Sequence, residues 1–154
     1  MSSFSFQFIA AHDIKAGKEL YCPYINLGRT KAERQTDLAS YGFSCNCSAC
    51  INATPTTDEL RKTYERQVAN LGTLKNQPEL MTDVVASAKV LEAKMVAEGL
   101  DVTFDFLNVL LVVYLIYTQQ GRRVEIREYE RRIQEYAKIH VHEKPMLQQL
   151  LNTL

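Results

Sequence analysis

The chain of 154 residues has no net charge, since eighteen basic residues balance eighteen acidic ones. That balance removes the electrostatic footprint of a nucleic-acid binder, which needs Lys and Arg massed on one face. Long hydrophobic runs are also missing. The most apolar stretch, Phe104 to Tyr117, is broken by Asp105 and Asn108 and falls short of the roughly 20 residues that a spanning helix requires. Met1 to Ala10 has no basic n-region, and its apolar residues alternate with Ser and Gln, unlike a secretory leader. Low-complexity segments, a phosphate-cradling glycine loop, a Ser/His/Asp arrangement and carboxylates paired for acid/base work are absent as well. The expectation is an intracellular protein with no membrane or nucleic-acid partner, and one domain's worth of chain able to bury a real core.

The two ends of the chain differ in pattern. Phe4, Phe6 and Phe8 alternate with Ser3, Ser5 and Gln7, the period of a half-buried strand running on into Ile9-Ala10. A polar turn around Gly17 leads to a second short strand, Glu19 to Ile25, where Pro23 belongs at an edge or an end. Thr30 to Tyr41 reads as a helix with Ala32, Leu38 and Tyr41 as its apolar points and Gly42 just beyond. A cysteine knuckle fills 43–50, and 51–57 is a linker of turn and cap formers.

Beyond the linker the period is helical. Thr57 can cap a helix with Leu60, Tyr64, Val68 and Leu71 on one face and Gly72 as its stop. The next helix opens at Gln77-Pro78-Glu79, carries Leu80, Val84, Ala88, Leu91 and Met95, and ends at Gly99. Residues 102–120 are apolar almost all round, marking a helix buried by its neighbours, and Gly121 closes it. Residues 122–140 place Ile126, Tyr129, Ile133 and Tyr136 on one face, and Pro145 opens a short end with Leu147, Leu150, Leu151 and Leu154. The fold class expected is α+β, mostly α. A small β segment and zinc knuckle (1–50) precede an antiparallel, tetratricopeptide-like helical domain (58–154).

The pattern Cys45-x-Cys47-x-x-Cys50 is the strongest local signal. Thiolates are soft ligands that suit Zn²⁺, and this spacing lets three sulfurs converge on one ion from a tight loop. Two other readings stay open: three small buried hydrophobes, or a Cys47–Cys50 disulfide. Elsewhere the blander reading wins. His140 and His142 point to different sides of a helix, and His12 sits in a solvated turn. Arg122, Arg123, Arg127, Arg131 and Arg132 are interleaved with Glu125, Glu128, Glu130 and Glu135 as a salt-laced helix face.

Residues 8–50 resemble a known family. Phe8-Ile9-Ala10-Ala11-x-Asp13-Ile14-x-x-Gly17-x-Glu19-Leu20-x-x-x-Tyr24-Ile25, followed by Arg34, Leu38 and Tyr41-Gly42-Phe43-x-Cys45-x-Cys47-x-x-Cys50, is similar to the end of a SET domain and its post-SET zinc loop. The helical remainder resembles the C-terminal region of the SET and MYND lysine methyltransferases, especially fungal ones. The resemblance implies a protein-lysine methyltransferase lineage using S-adenosylmethionine. It implies that Tyr24 is the active-site tyrosine beside the methyl-transfer channel, and that Phe43 lines the cofactor side of the post-SET loop. Cys45, Cys47 and Cys50 would hold a structural zinc.

The departures are equally specific. The family's glycine-rich cofactor segment, its Asn-His-Ser-Cys motif with the fourth zinc ligand, and the MYND module have no counterpart here. Pro23 precedes Tyr24 where a small residue is usual, and Cys22 does not occupy the family's ligand position. The expectation is a fragment or remnant, inactive alone. Two alternatives stand beside it: a helical module that binds a protein or peptide and is buttressed by zinc, or one half of a homo- or hetero-dimeric assembly that completes the SET core.

Overall fold

The computed structural model describes residues 9–20 and 22–140. The first helix, α1 (Lys31–Ala39), begins where Thr30 and Glu33 satisfy each other's backbone. The Glu33 amide donates to the Thr30 hydroxyl, and the Thr30 amide donates to the Glu33 carboxylate at 2.8 Å. The Thr30 hydroxyl, donating at 2.6 Å, and the Thr30 amide both hold the Glu33 carboxyl below its usual range, the hydroxyl contributing most. Expectation and structure differ over the inward face of α1. Ala32 is exposed and Tyr41 lies past the helix end, while Arg34 and Leu38, one turn apart, are buried. Gly42 follows with φ +76°, the left-handed position that glycine fills without strain.

A single turn, α2 (Ser48–Ile51), carries the end of the cysteine loop. The long helix α3 (Pro55–Leu74) starts earlier than Thr57, because Thr54 caps it and Pro55 takes the first helical position, where its missing N–H costs nothing. Thr57 serves three residues in, completing the capping box. Gly72 does not end this helix, which runs on to Leu74, whose side chain packs against the core. A short 3₁₀ turn at Pro78–Leu80 leads into α4 (Met81–Ala97). The chain then forms α5 (Phe104–Gln119) and α6 (Arg123–His140).

The predicted stripes are the observed core, except that Leu80, in the turn before α4, and Ile126 are half-buried and pack against its edge. Leu60, Tyr64, Val68 and Leu71 of α3 are buried with Val84, Ala88, Leu91 and Met95 of α4 and with Tyr129, Ile133 and Tyr136 of α6. Helix α5 packs against α3, α4 and α6, and eight of its side chains are buried, as its all-round apolarity requires. Both sharp reversals use the same device. After α4 the Leu100 amide donates to Met95 at 2.8 Å with Gly99 at φ +67°; after α5 the Arg122 amide donates to Tyr117 at 3.0 Å with Gly121 at φ +66°.

The mostly helical part of the expected class stands, but the β segment does not. Among the described residues there is no strand. Most of the expected strand Phe4–Ala10 lies outside them, as does the short helix expected after Pro145. Leu20, Cys22, Pro23 and Tyr24 are exposed with no strand partner among the described residues, Tyr24 lies in a bend, and Pro23 has no amide to offer a ladder. Among the described residues no helix is long and apolar enough to cross a membrane.

One buried side chain ties this N-terminal segment to the bundle. Arg61 of α3 donates to the Leu27 carbonyl, to the Glu98 carbonyl at 2.8 Å and to the Glu98 carboxylate at 3.0 Å. The Lys31 amide also donates to Asp58 at 2.9 Å, and Gly28 lies so close to the buried ring of Tyr64 that no β-carbon would fit.

Candidate metal centre

The cysteine loop is positioned by two adjacent residues of α1. Gln35 brackets Cys45, its side-chain amide donating to the Cys45 carbonyl at 2.9 Å and accepting the Cys45 amide at 3.1 Å. Arg34, buried beside it, donates to the Ala49 carbonyl at 3.2 Å. Between these anchors the chain turns once. The amides of Cys50 and Ile51 both donate to the Cys47 carbonyl at 2.9 Å, so Cys47 and Cys50 face one another across the turn.

The sulfurs of Cys45, Cys47 and Cys50 lie within 4.8 Å of one another, and among the described residues no other cluster of His, Cys, Asp and Glu meets that measure. A tetrahedral zinc with Zn–S bonds of about 2.3 Å places its sulfurs about 3.8 Å apart, so small rotamer adjustments would close this set on an ion. The three cysteines are free thiols. Burial opposes ionisation of Cys47, but the Cys50 amide, the thiols of Cys45 and Cys50 and the Arg34 charge outweigh it, and its thiol ionises below the usual range. Burial pushes the Cys50 thiol up to about 11, helped by its hydrogen bonds with the other two sulfurs. Donor type and spacing fit a thiophilic divalent ion.

The two other predicted site residues sit beside one another. Tyr24 lies 5.7 Å from Tyr41 and 6.1 Å from Phe43, ring centre to ring centre, the latter pair edge to face. All three rings are exposed, Tyr24 by 62% and Phe43 by 45%. They form one exposed aromatic cluster. Cys22 is exposed and does not join the sulfur cluster.

Sequence reasoning missed the supports. It placed Arg34 only within a family pattern and passed over Gln35 and Arg61. The signal for Arg34 was its spacing of four from Leu38, which puts a charged residue on the buried face of a short helix.

Comparison with known proteins gives a partial match. Over 81 residues the chain is 33% identical to Histone-lysine N-methyltransferase SET5 of Meyerozyma guilliermondii, and over 78 residues 33% identical to the protein of that name from Candida albicans. The chain is related to SET-type methyltransferases. The matched stretches are 52% and 50% of this chain but only 16% of each curated relative's length. No family model matches the chain, and no solved structure does.

Proposed function

We propose that the chain is the C-terminal portion of a SET/MYND-type protein-lysine methyltransferase. In this reading residues 1–50 are the end of the SET domain and its zinc loop, and 58–154 are the helical C-terminal domain. The observation that carries it is a coincidence in space: Tyr24, distant in sequence from Tyr41 and Phe43, packs on both of them, and Phe43 leads directly into the three-sulfur cluster.

In this reading Cys45, Cys47 and Cys50 hold a structural zinc that fixes the loop bearing Phe43. The Tyr24 hydroxyl orients a neutral lysine amine, so that alignment supplies much of the rate. S-adenosylmethionine, when bound, supplies the methyl group. The glycine-rich and Asn-His-Ser-Cys segments that would wall in that cofactor and give the fourth zinc ligand are not among these 154 residues. The chain is therefore inactive alone and gains activity when those segments are supplied, on the same polypeptide or on a second one.

The test is calorimetric titration of S-adenosylmethionine into the zinc-loaded chain, alone and after adding a polypeptide bearing those segments from a fungal relative. Binding only in the second case, with methylation of a lysine peptide that Tyr24→Phe impairs, is the expected result. Saturable binding by the chain alone would overturn the claim of incompleteness, and no binding in either case would overturn the enzymatic reading.

A second reading rests on a groove of about 330 Å³ between α3 and α5, lined by Val68, Gly72, Leu111 and Leu115 among others. It would make 58–154 a module that binds an apolar peptide. Peptide capture that survives replacement of all three cysteines would favour it.

A further inference from the structure

Arg34 presents a physical problem that the cysteine cluster solves. Its side chain is buried, with 4% of the residue exposed, and its Nε has no hydrogen-bond partner. None of the ion pairs among the described residues includes it, and its one hydrogen bond is to the neutral carbonyl of Ala49. A guanidinium cannot discharge itself and is costly to bury unless an anion lies close by. Ala49 stands between Cys47 and Cys50, so the guanidinium borders the loop whose three sulfurs become anionic when they take up an ion.

We propose that Arg34 is the counter-cation of an anionic metal–thiolate centre on Cys45, Cys47 and Cys50. A divalent ion held by three or four thiolates carries net negative charge, and Arg34 offsets part of it at the buried end of the cluster, beside Cys50. Its unpartnered Nε–H is the donor left over for a ligand sulfur. Such outer-shell partners of metal ligands typically set about 10–100-fold in metal affinity. Arg34 is thus a positioning residue that works through the ligands, and α1 supplies both supports of the loop from consecutive positions, Gln35 for its backbone and Arg34 for its charge. The donor set selects the ion: three soft sulfurs with no carboxylate among them disfavour hard metals such as Mg²⁺ and favour a thiophilic ion that deprotonates all three.

This inference rests on the metal reading of the three cysteines, and the two fail differently. The experiment measures zinc stoichiometry and affinity by competition with a chelator, for the full chain and for Arg34→Met and Arg34→Lys, and records the thiolate-to-metal charge-transfer band with Co²⁺ in place of zinc. The expected result is unchanged stoichiometry, affinity at least tenfold weaker in Arg34→Met with a shifted cobalt band, and recovery of most of the affinity in Arg34→Lys. Thermal unfolding separates this role from packing. Arg34→Met should lower the zinc-loaded midpoint more than the metal-free one, because in the metal-free protein it also removes an unpaired buried charge. Equal losses in the two states, with wild-type zinc affinity and an unmoved cobalt band, would overturn the proposal. If Arg34→Met does not fold, Arg34→Gln decides, since it keeps a polar side chain without the charge: wild-type affinity with an unmoved cobalt band in that variant overturns the proposal. Failure of the parent chain to bind zinc or cobalt would overturn the metal reading itself.

Discussion

Helices α3–α6 bury Met95, Val109, Val113 and Ile116 completely, whereas Leu38 and Cys50 are the only apolar side chains buried among the described residues before α3. The two regions are folded by different physics. In the bundle, apolar area removed from water does most of the work, and polar contacts sit at caps, at the buried Arg61 and in the largely buried cluster of Glu92, Tyr129 and Arg132. Before α3, specific bonds replace bulk burial: a capping box, the Gln35 bracket, the Arg61 clamp and three convergent sulfurs. A region held this way depends on each bond separately, and a bound ion would be its largest single stabiliser.

The contrast is broken most severely from the bundle side. Ile116→Ala empties a fully buried site on the helix that touches α3, α4 and α6. It should cost about 2–5 kcal/mol, read as a lower midpoint in urea followed by helical circular dichroism. The N-terminal region should melt with the bundle in that variant, since it is clamped to it.

Arg61→Met attacks the joint between the regions. It leaves the Leu27 and Glu98 carbonyls without their charged donor, at a cost of about 2–3 kcal/mol. The expected outcome is faster amide exchange and proteolysis across residues 22–30 before the helices open. Uniform weakening of both regions would mean that the clamp belongs to the bundle and not to the joint.

Legibility followed the same divide. The stripes of α3, α4, α5 and α6 were readable because burial imposes a helical period, and Gly99 and Gly121 were readable because a left-handed residue must end those helices. The cysteine cluster was readable because its ligands are close in sequence. What could not be read was long-range or polar: Arg61 reaching Leu27 and Glu98, Gln35 reaching Cys45, and Arg34 turned inward. The start of α3 was misplaced by one cap, since Thr54 and Thr57 both qualify locally and Pro55 decides between them. The strand at 19–25 failed because periodicity proposes a strand but only a neighbour makes one.

Gly28→Ala is a smaller and sharper probe of the joint. The added methyl would meet the Tyr64 ring, which is buried and cannot swing aside freely. A loss of about 1–3 kcal/mol is expected from overpacking. Tyr64→Phe in the same chain should recover part of it, because it removes the hydroxyl that the methyl meets first.

The smallest effect is also the one that separates the regions by solvent condition alone. Glu33 is held below its ordinary value of 4.5 by Thr30, so below that value the unfolded chain takes up the proton first. Stability then falls as the pH falls, and the Glu33 share of the loss lies in the capping box of α1. Tyr64 behaves in the opposite sense. Burial, with the Glu65 and Asp105 charges, raises its hydroxyl from 10 to about 12. Above pH 10 the unfolded chain loses that proton before the folded one does, so bundle stability falls as the pH rises toward 12. Tyr129, raised further by burial and by Glu92, adds to the alkaline loss. Acid should therefore loosen the start of α1, and with it the first turn of α6, where a backbone hydrogen bond and Arg122 hold Glu125 below its usual range. Glu33→Gln should remove the α1 part of that acid step. Alkali should unfold the bundle cooperatively, together with a late rise in tyrosinate absorbance. An acid step unchanged in Glu33→Gln would assign it to other carboxylates and remove the capping box from the set of bonds that hold the first region.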